Sequence, residues 1–389
     1  MNSPSSSSNS GSPLHLALAS GGTGGHFYPA LATAQEWRRQ GGRATFFISG
    51  HHAAAHLLAA RNEGFESREI RSVRLPKRPW LWPFFPFRFL GAMLDARRAI
   101  AAGKPDALLG MGSFASAPVC LAASRAKIPL ILHEGNALTG RANRLLSKQA
   151  TLLAVSFREQ ANPDAVHCPL LWTGFPLREA LLRAAREPQP PLDYLRAAGL
   201  TPGRPTLLGF GGSQGARFVN FLILDTLAAL DASGRERLQL LHFTGQDDNR
   251  ELEAAYRAAG LTACVKKSES DMASAYLAAD LVVCRSGGST LAELALFGKP
   301  AVLIPLPTAA EDHQTLNARA AIARGGGQLL PQTDPATPAR LAAILRAWLG
   351  DPDTVRPWGN ALRDTLAAPD AAATLVREIR ARLTDANPG

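Results

Sequence analysis

The feature that most limits how this chain can fold is the alternation of short, β-rich apolar runs with Ala/Leu-rich amphipathic segments. In the first half, segments with helical spacing at 29–40 and 115–126 lie between apolar runs that predict strands at 14–19, 44–49, 106–109, 128–132 and 151–155. Such alternation is typical of βαβ units and parallel sheets. We therefore predict a doubly wound α/β domain.

The same scheme starts again after a Pro-rich and charged stretch, AAREPQPPLD, at 184–193. Apolar runs at 206–210, 238–243, 281–284 and 301–304 alternate with helical patterns at 215–231, 271–279 and 289–298. A second parallel-sheet domain is the simplest account of this restart. We predict five parts: a disordered tail at 1–13, a domain at 14–183, a linker at 184–193, a domain at 194–365, and a C-terminal helix at 366–389 that packs back on the first domain.

The charge, cysteine content and apolar stretches of the chain limit the kinds of ligand, cofactor and cellular location to be expected. The 389 residues include 42 Lys and Arg against 32 Asp and Glu, a net charge of +10 that favours phosphates, nucleic acid or acidic lipid. The four cysteines lie far apart without a C-x-x-C pair, so the sequence suggests neither a disulfide framework nor a zinc site. The Ser-rich start lacks the apolar core of a signal peptide, and no apolar stretch reaches membrane-spanning length. A reducing cytoplasm is expected.

Two Gly-rich turns follow predicted strands, GGTGGH at 21–26 and GGSQGA at 211–216. Backbone N–H groups and the helix dipole favour an anion at such a strand-to-helix turn. The first turn lacks the G-x-G-x-x-G spacing of a dinucleotide site, which argues against NAD binding. A turn that needs glycine only for its backbone angles is the other alternative to an anion site. His26 at its mouth is either a general base or an inert, hydrogen-bonded histidine.

A second informative segment, LVVCRSGGSTLAE, occupies 281–293. Hydroxyls and helix N–H groups suit a diphosphate, and Glu293, one helical turn farther on, can accept hydrogen bonds from a ribose diol. The alternative is a Ser/Thr helix cap supported by Glu293. Gln314 and Asn317 follow a Pro-rich loop and either read sugar hydroxyls or face solvent.

His133-Glu134-Gly135-Asn136 follows the predicted strand IPLIL, at the sheet edge where open α/β folds bind ligands. We expect these residues to orient a substrate. Glu134 is a candidate for either catalysis or helix capping, and the cluster does not have the spacing of a metal site.

The segment 74–90 combines six aromatic residues with four prolines and four basic residues. Aromatic rings beside cations suit an anionic membrane surface, which gives a predicted membrane patch of Trp80, Trp82, Phe84, Phe85 and Phe87. A loop buried in the core is the alternative. Nucleic-acid stacking is not expected, because no recognition helix or oligonucleotide-binding barrel pattern accompanies the segment.

Several blocks together resemble the MurG family of glycosyltransferases: ASGGTGGHFYPALA, LLGMGSFASAPVCLAA, LILHEGNALTGRANRLL, GFGGSQGARFVN and the run from Asp271 to Pro307. The resemblance extends from about Leu14 to Leu330. It implies a GT-B fold, in which two Rossmann-like domains face a central cleft. It also implies an inverting, metal-independent transfer of N-acetylglucosamine (GlcNAc) from UDP-GlcNAc to undecaprenyl-diphospho-muramoyl-pentapeptide in peptidoglycan synthesis, at the cytoplasmic face of the membrane and without a cofactor.

The family pattern also assigns site residues. It implies that His26 is the catalytic base and that the UDP-sugar is bound by Thr23, Gly24, Gly25, Asn136, Arg178, Ser213, Gly288, Ser289, Thr290, Leu291, Ala292, Glu293 and Gln314. Two departures stand out: the chain has HEGN where the family usually has HEQN, and Gly174-Phe175-Pro176-Leu177-Arg178 where it usually has GNP-x-R. The loop before His313 is one residue longer. Two other functions remain open at this point: a GT-B transferase acting on another lipid such as diacylglycerol, and a non-catalytic nucleotide-sugar-binding protein.

Overall fold

The computed structural model describes residues 12–21, 24–50, 53–71, 73, 79–212, 216–246 and 249–386, with the backbone alone at 79, 81, 82, 385 and 386. Within these residues, one parallel sheet has the order β3-β2-β1-β4-β5-β6-β7. Its strands are β1 (His15–Gly21), β2 (Arg43–Ser49), β3 (Glu66–Glu69), β4 (Ala107–Gly110), β5 (Leu130–Glu134), β6 (Leu152–Val155) and β7 (Leu170–Trp172).

A second parallel sheet in the described chain has the order β10-β9-β8-β11-β12-β13. Its strands are β8 (Thr206–Phe210), β9 (Gln239–Phe243), β10 (Thr262–Lys266), β11 (Leu281–Cys284), β12 (Ala301–Leu303) and β13 (Gln328–Leu329). In both sheets the strand order reverses beside the first strand, at β1/β4 and at β8/β11. Open α/β sheets bind ligands at the carboxyl ends of the strands at such a point. The predicted doubly wound α/β class is confirmed.

Helices connect the strands. In the first half they are α1 (Gly24–Arg39), α2 (Ala53–Asn62), α3 (Phe85–Gly103), α4 (Ala117–Arg125), α5 (Arg141–Leu146), α6 (Glu179–Arg186) and α7 (Leu192–Ala197). In the second half they are α8 (Arg217–Ala228), α9 (Ala232–Arg237), α10 (Arg250–Ala258), α11 (Met272–Ala278), α12 (Gly288–Phe297), α13 (His313–Ile322), α14 (Thr337–Gly350), α15 (Arg356–Leu366) and α16 (Ala371–Ala386). Short 3₁₀ turns include Pro79–Phe84 before α3 and Ala310–Asp312 before α13.

Two details differ from the sequence-based expectation. The segment 184–193 is helical at both ends, because α6 continues to Arg186 and α7 begins at Leu192. Its prolines interrupt the helices only at the residues between them. Helix α1 begins at Gly24, five residues before the predicted start, because Pro29 is accommodated within its first two turns at the loss of one backbone hydrogen bond.

The chain passes between the two sheets twice. The first crossing follows β7 through Gly174, whose φ of +81° puts it in the left-handed region and whose missing Cβ leaves room for Ala368. The second crossing leads from α15 to α16. Leu375, Val376 and Ile379 of α16 are buried in the core of the first sheet, where α16 packs against α1.

Candidate active site

Each domain places a helix N-terminus next to the other domain. β1 ends at Gly21 and α1 begins at Gly24, while β11 ends at Cys284 and α12 begins at Gly288. The first N–H groups of a helix have no partner within the helix and carry its positive dipole end. Gly24 and Gly25 therefore lie where an anion is favoured, whereas Thr23 and Ser213 of the predicted site lie outside the described residues.

His26 lies in the first turn of α1 and is half-buried. Burial and, to a smaller extent, nearby His313 lower its pKa to about 4, although a hydrogen bond to the Gly21 carbonyl partly offsets both effects. The imidazole is therefore neutral at pH 7, the form that can accept a proton. Because His313 begins α13 of the second domain, the two domains come close together at His26.

The turn after β4 forms a wall beside this histidine. Gly112 has a φ of +75°, and a Cβ there would lie 3.6 Å from Cδ2 of His26. The next residue, Ser113, also has a positive φ, and its hydroxyl accepts a hydrogen bond from the Ala115 N–H. This turn was not assigned to the site from its own residues, although the run GMGS carries the glycine signal.

Glu134 holds Asn136 in place. Its buried carboxylate accepts hydrogen bonds from the backbone N–H of Asn136 (3.1 Å), the Asn136 amide (2.9 Å), the Gly140 N–H (2.9 Å) and the Asn143 amide (3.0 Å). Burial raises the pKa of Glu134, and the four donors oppose that rise. Because both of its carboxylate oxygens accept hydrogen bonds from protein groups, Glu134 is a positioning residue for Asn136.

Asn317 of α13 connects the two domains. Its fully buried side chain accepts a hydrogen bond from the Ala137 N–H (2.7 Å) and donates to Asn136 Oδ1 and the Ser286 carbonyl (both 3.0 Å). The amide of Asn136 is thus held by Glu134 on one side and Asn317 on the other. Of the two interpretations of Asn317 from sequence, a solvent-facing polar residue is excluded by its burial.

An ion-pair cluster lies at the rim of the same interface. Glu311 of the second domain contacts Arg144 (2.9 Å) and Arg141 (3.4 Å), both on α5 of the first domain. The hydrogen bond from Arg144 holds the pKa of Glu311 below its usual range.

The α12 turn is not capped by its own hydroxyls. The N-cap residue is Gly287, and no side chain makes a capping hydrogen bond there, so the helix-cap alternative for Ser289 and Thr290 is wrong. Both residues are half-buried and remain available to a ligand, as does Gly288. Leu291 and Ala292 have buried side chains, which leaves only their backbone for a ligand contact.

Glu293 is half-buried one turn into α12, and its Oε2 accepts a hydrogen bond from the Tyr276 hydroxyl (2.8 Å). Burial raises the pKa of Glu293, while the Tyr276 hydroxyl and the charge of Arg178 lower it. Arg178 also lies over the ring of Tyr28 on α1, 4.8 Å from its centroid. Arg178 therefore contacts Tyr28 of the first domain and lies near enough to Glu293 of the second for its charge to act on the carboxylate. No local sequence signal indicated this arrangement.

Gln314 occupies the first turn of α13, next to the α12 turn. Its side-chain oxygen accepts a hydrogen bond from the Leu306 N–H (3.0 Å), and its backbone carbonyl accepts one from the Ser286 hydroxyl (2.7 Å). Its carboxamide NH₂ group has no hydrogen bond within the described residues, which leaves a donor for a ligand.

The aromatic segment lies on the surface of the first domain. Trp80, Phe84 and Phe87 are 65%, 61% and 75% exposed, whereas Phe85 is half-buried against Phe89 and Phe114. The buried-loop alternative is therefore wrong for three of the five predicted patch residues. The side chain of Trp82, like the basic residues Lys77 and Arg78, lies outside the described residues. None of the helices described is both long enough and apolar enough to cross a bilayer.

Comparison with known proteins adds independent evidence. The glycosyltransferase family 28 N-terminal domain matches residues 16–155, and the family 28 C-terminal domain matches residues 206–365. Together with the two facing sheets, these matches define a glycosyltransferase of the GT-B fold.

Full-length relatives are more specific. The UDP-N-acetylglucosamine–N-acetylmuramyl-(pentapeptide) pyrophosphoryl-undecaprenol N-acetylglucosamine transferase of Rhodospirillum rubrum is 37% identical over 93% of this chain and 90% of the relative. The enzyme of that name from Pelobacter propionicus is 36% identical over 94% of this chain and 99% of the relative. The crystal structure of Acinetobacter baumannii MurG superposes with a TM-score of 0.74 at 28% identity and covers 95% of this chain and 100% of that chain. The chain belongs to the MurG family.

Proposed function

We propose that this glycosyltransferase moves GlcNAc from UDP-GlcNAc to the lipid-linked acceptor undecaprenyl-diphospho-muramoyl-pentapeptide, a step of peptidoglycan synthesis. One observation carries the proposal: the N-terminus of α12, with Glu293 one turn away, lies against Gly135 and Asn136 of the first domain, and the neutral His26 of that domain lies near His313 of the second. The relatives named above carry this activity in their names.

The second domain would bind the donor. The diphosphate would lie at the N-terminus of α12, where N–H groups and the hydroxyls of Ser289 and Thr290 donate hydrogen bonds to its oxygens. Glu293 would accept hydrogen bonds from the ribose diol, with Arg178 as a nearby cation. Gln314 and Asn136 would contact the sugar hydroxyls from either side of the cleft, and Ser213 would add a donor from the opposite Gly-rich turn.

The first domain would supply the acceptor and the base. The acceptor hydroxyl attacks the anomeric carbon of GlcNAc, the bond from that carbon to the diphosphate oxygen breaks, and UDP leaves with the electron pair. His26 takes the hydroxyl proton, and a single displacement inverts the anomeric centre. The helix N-terminus of α12 stabilises the charge that develops on the leaving diphosphate, so the step does not depend on a divalent cation. Thr23, Gly24 and Gly25 would line this part of the cleft.

A membrane surface would be the third partner. Trp80, Phe84 and Phe87 form an exposed apolar face with Arg88 beside it, and such aromatic residues lie at headgroup depth while cations meet anionic lipid. We propose peripheral attachment to the cytoplasmic face of the inner membrane, where a lipid-linked acceptor is within reach of the cleft.

The direct test follows radiolabelled GlcNAc from UDP-GlcNAc onto the undecaprenyl muramoyl-peptide lipid, with diacylglycerol as the competing acceptor and EDTA in a parallel reaction. We expect label in the muramoyl-peptide lipid, with or without EDTA. Label in diacylglycerol alone would change the acceptor, UDP binding without any transfer would indicate a binding protein, and loss of turnover in EDTA with recovery on adding magnesium would contradict metal independence.

A further inference from the structure

The ring of Phe175 fills the space that a side chain at position 135 would occupy, although the two residues come from different segments of the chain. A Cβ built on Gly135 would lie 2.9 Å from Cε2 and 3.5 Å from Cδ2 of the Phe175 ring. A Cβ contact of 2.9 Å is shorter than well-packed side chains show, so the ring can occupy this position only because residue 135 is a glycine. The two positions are also the two at which this chain departs from the HEQN and GNP-x-R patterns.

Phe175 has little freedom to move away. It is 5% exposed, belongs to a core cluster with Ala137 and Phe157, and meets the ring of His133 edge-on at 5.8 Å. The preceding Gly174 carbonyl accepts a hydrogen bond from Nε2 of His133 (3.4 Å). The ring is therefore held from its own backbone and from the strand that leads into Gly135.

Gly135 also meets the other domain. A Cβ built on Gly288, the first residue of α12, would overlap the Gly135 carbonyl oxygen and would lie 3.7 Å from Asn136 Oδ1. The backbone of 135–136 thus lies against both the Phe175 ring and the N-terminus of α12. Any displacement of Gly135 by the ring is transmitted to Asn136 and to its distance from α12.

We propose that Phe175 is a positioning residue that sets, through Gly135, where Asn136 stands relative to the N-terminus of α12. The inference rests on the proposed function, which places the donor sugar between Asn136 and α12. Phe175 touches no substrate in this arrangement. It determines the width of the sugar part of the cleft and leaves the nucleotide part, around Glu293, unchanged.

The test is a double-mutant cycle with Gly135→Gln, Phe175→Asn and the double variant, measuring KM and kcat for UDP-GlcNAc and the Kd of UDP by calorimetry. We expect Gly135→Gln to raise KM about tenfold and to change the Kd of UDP by less than about twofold, because contacting residues couple but distant ones do not. Phe175→Asn alone should also raise KM, since the loop loses its support. The double variant should return KM to within about threefold of the starting protein.

A second pair of variants is used if the amide side chain of Gly135→Gln or Phe175→Asn prevents folding. Gly135→Ala with Phe175→Leu makes the same comparison with smaller changes, and melting temperatures monitor the fold. Phe157→Leu is the matched control: it trims another buried phenylalanine of the same cluster, and its effect should simply add to that of Gly135→Ala.

Losses that add in the double variant, or an unchanged KM in the single variants, would overturn the inference. An equal loss of UDP and UDP-GlcNAc affinity would also overturn it, since the effect would then not be confined to the sugar. Absence of turnover in the unaltered protein would instead contradict the proposed function, which separates the two failures.

Discussion

Glu293 receives one hydroxyl donor, from Tyr276, and lies half-buried beside Arg178, so its carboxylate retains acceptor capacity toward the cleft. We predict that Glu293→Ala raises the KM for UDP-GlcNAc by one to two orders of magnitude, since hydrogen bonds to a charged group contribute about 1.5–3 kcal/mol. Glu293→Gln keeps one acceptor and should lose less. Tyr276→Phe removes only the orienting bond and is the milder control. An unchanged KM in Glu293→Ala would remove this residue from the donor site.

His26 is neutral over the whole range in which most enzymes are assayed, because burial lowers its pKa to about 4. We predict that His26→Ala reduces kcat by about 10²–10⁴ with little change in UDP binding. The acid limb of kcat/KM should fall near pH 4, well below 6.5, because protonation removes the base only there.

His313 gives a control for this assignment, since its proximity lowers the pKa of His26. In His313→Asn the acid limb should move to higher pH. A folded His26→Ala protein with full kcat, or an acid limb that His313→Asn leaves in place, would show that another group is the base.

At the scale of the elements, the 3₁₀ turn at 79–84 and the start of α3 carry three exposed aromatic side chains. We predict that replacing Trp80, Phe84 and Phe87 with Ser abolishes flotation with anionic vesicles and leaves UDP binding and melting temperature nearly unchanged, because these side chains are already exposed. Leu58→Ser, at an exposed apolar position on α2, should leave flotation intact.

Salt provides a second measurement on the same element. Basic residues near an acidic membrane contribute about 1 kcal/mol each, so flotation should weaken as salt is added. Collapse of the fold in the triple Ser variant would show that the segment supports the core, and unchanged flotation would place the membrane contact elsewhere.

The elements also show what local sequence could predict. The strands predicted from apolar runs lie within about two residues of those observed, because central strands of a parallel sheet are buried on both faces and become continuously apolar. Strand β3, with the sequence ESRE, was missed because an edge strand needs no apolar run. Strand β13 is two residues long and carries no periodic signal.

The candidate site residues, like the strands, could be predicted only where a local sequence signal marked them. His26 and Glu293 were predictable because each follows a glycine turn between a strand and a helix. The contacts of Asn317 with Asn136, and of Phe175 with Gly135, join residues far apart in sequence through the closure of two domains. No local pattern could have identified them.

At the scale of the whole molecule, Asn317 is a buried polar link between the domains. We predict that Asn317→Ala destabilises the closed arrangement by about 1–3 kcal/mol, because it leaves the Ala137 N–H and the Ser286 carbonyl without their partner. The exposed pair Arg141–Glu311 should matter far less, so Arg141→Ala is the matched control. Urea unfolding would measure the difference, and equal effects of the two variants would contradict the assignment.

Stability should also depend on pH through histidines buried in neutral form. His242 is fully buried between Tyr256 and Asn220, and burial lowers its pKa to about 4. Because the unfolded chain takes up the proton near pH 6.5 and the folded chain does not until about 4, stability is lost as pH falls through this window. The expected slope is about 1.4 kcal/mol per pH unit.

The variant His242→Gln isolates this contribution, since an amide can still bond Tyr256 or Asn220 but does not titrate. We expect it to be less stable than the unaltered protein at pH 7 and to close the gap as the pH approaches 4.5. A constant difference in unfolding free energy between pH 7 and pH 4.5 would contradict a neutral, buried His242.

The hydrogen bond that the Asn317 amide donates to Asn136 Oδ1 has a consequence for selectivity. A sugar that binds between these two side chains must break this bond, which the protein already makes with itself. Its hydroxyl contacts then only replace the bond that was lost. The right sugar gains little from that exchange, but a sugar without a matching hydroxyl leaves Asn136 Oδ1 and one N–H of Asn317 without a partner at the domain interface. Discrimination at this point would then come from rejecting wrong donors, and it would be lost first in a protein whose two domains no longer meet.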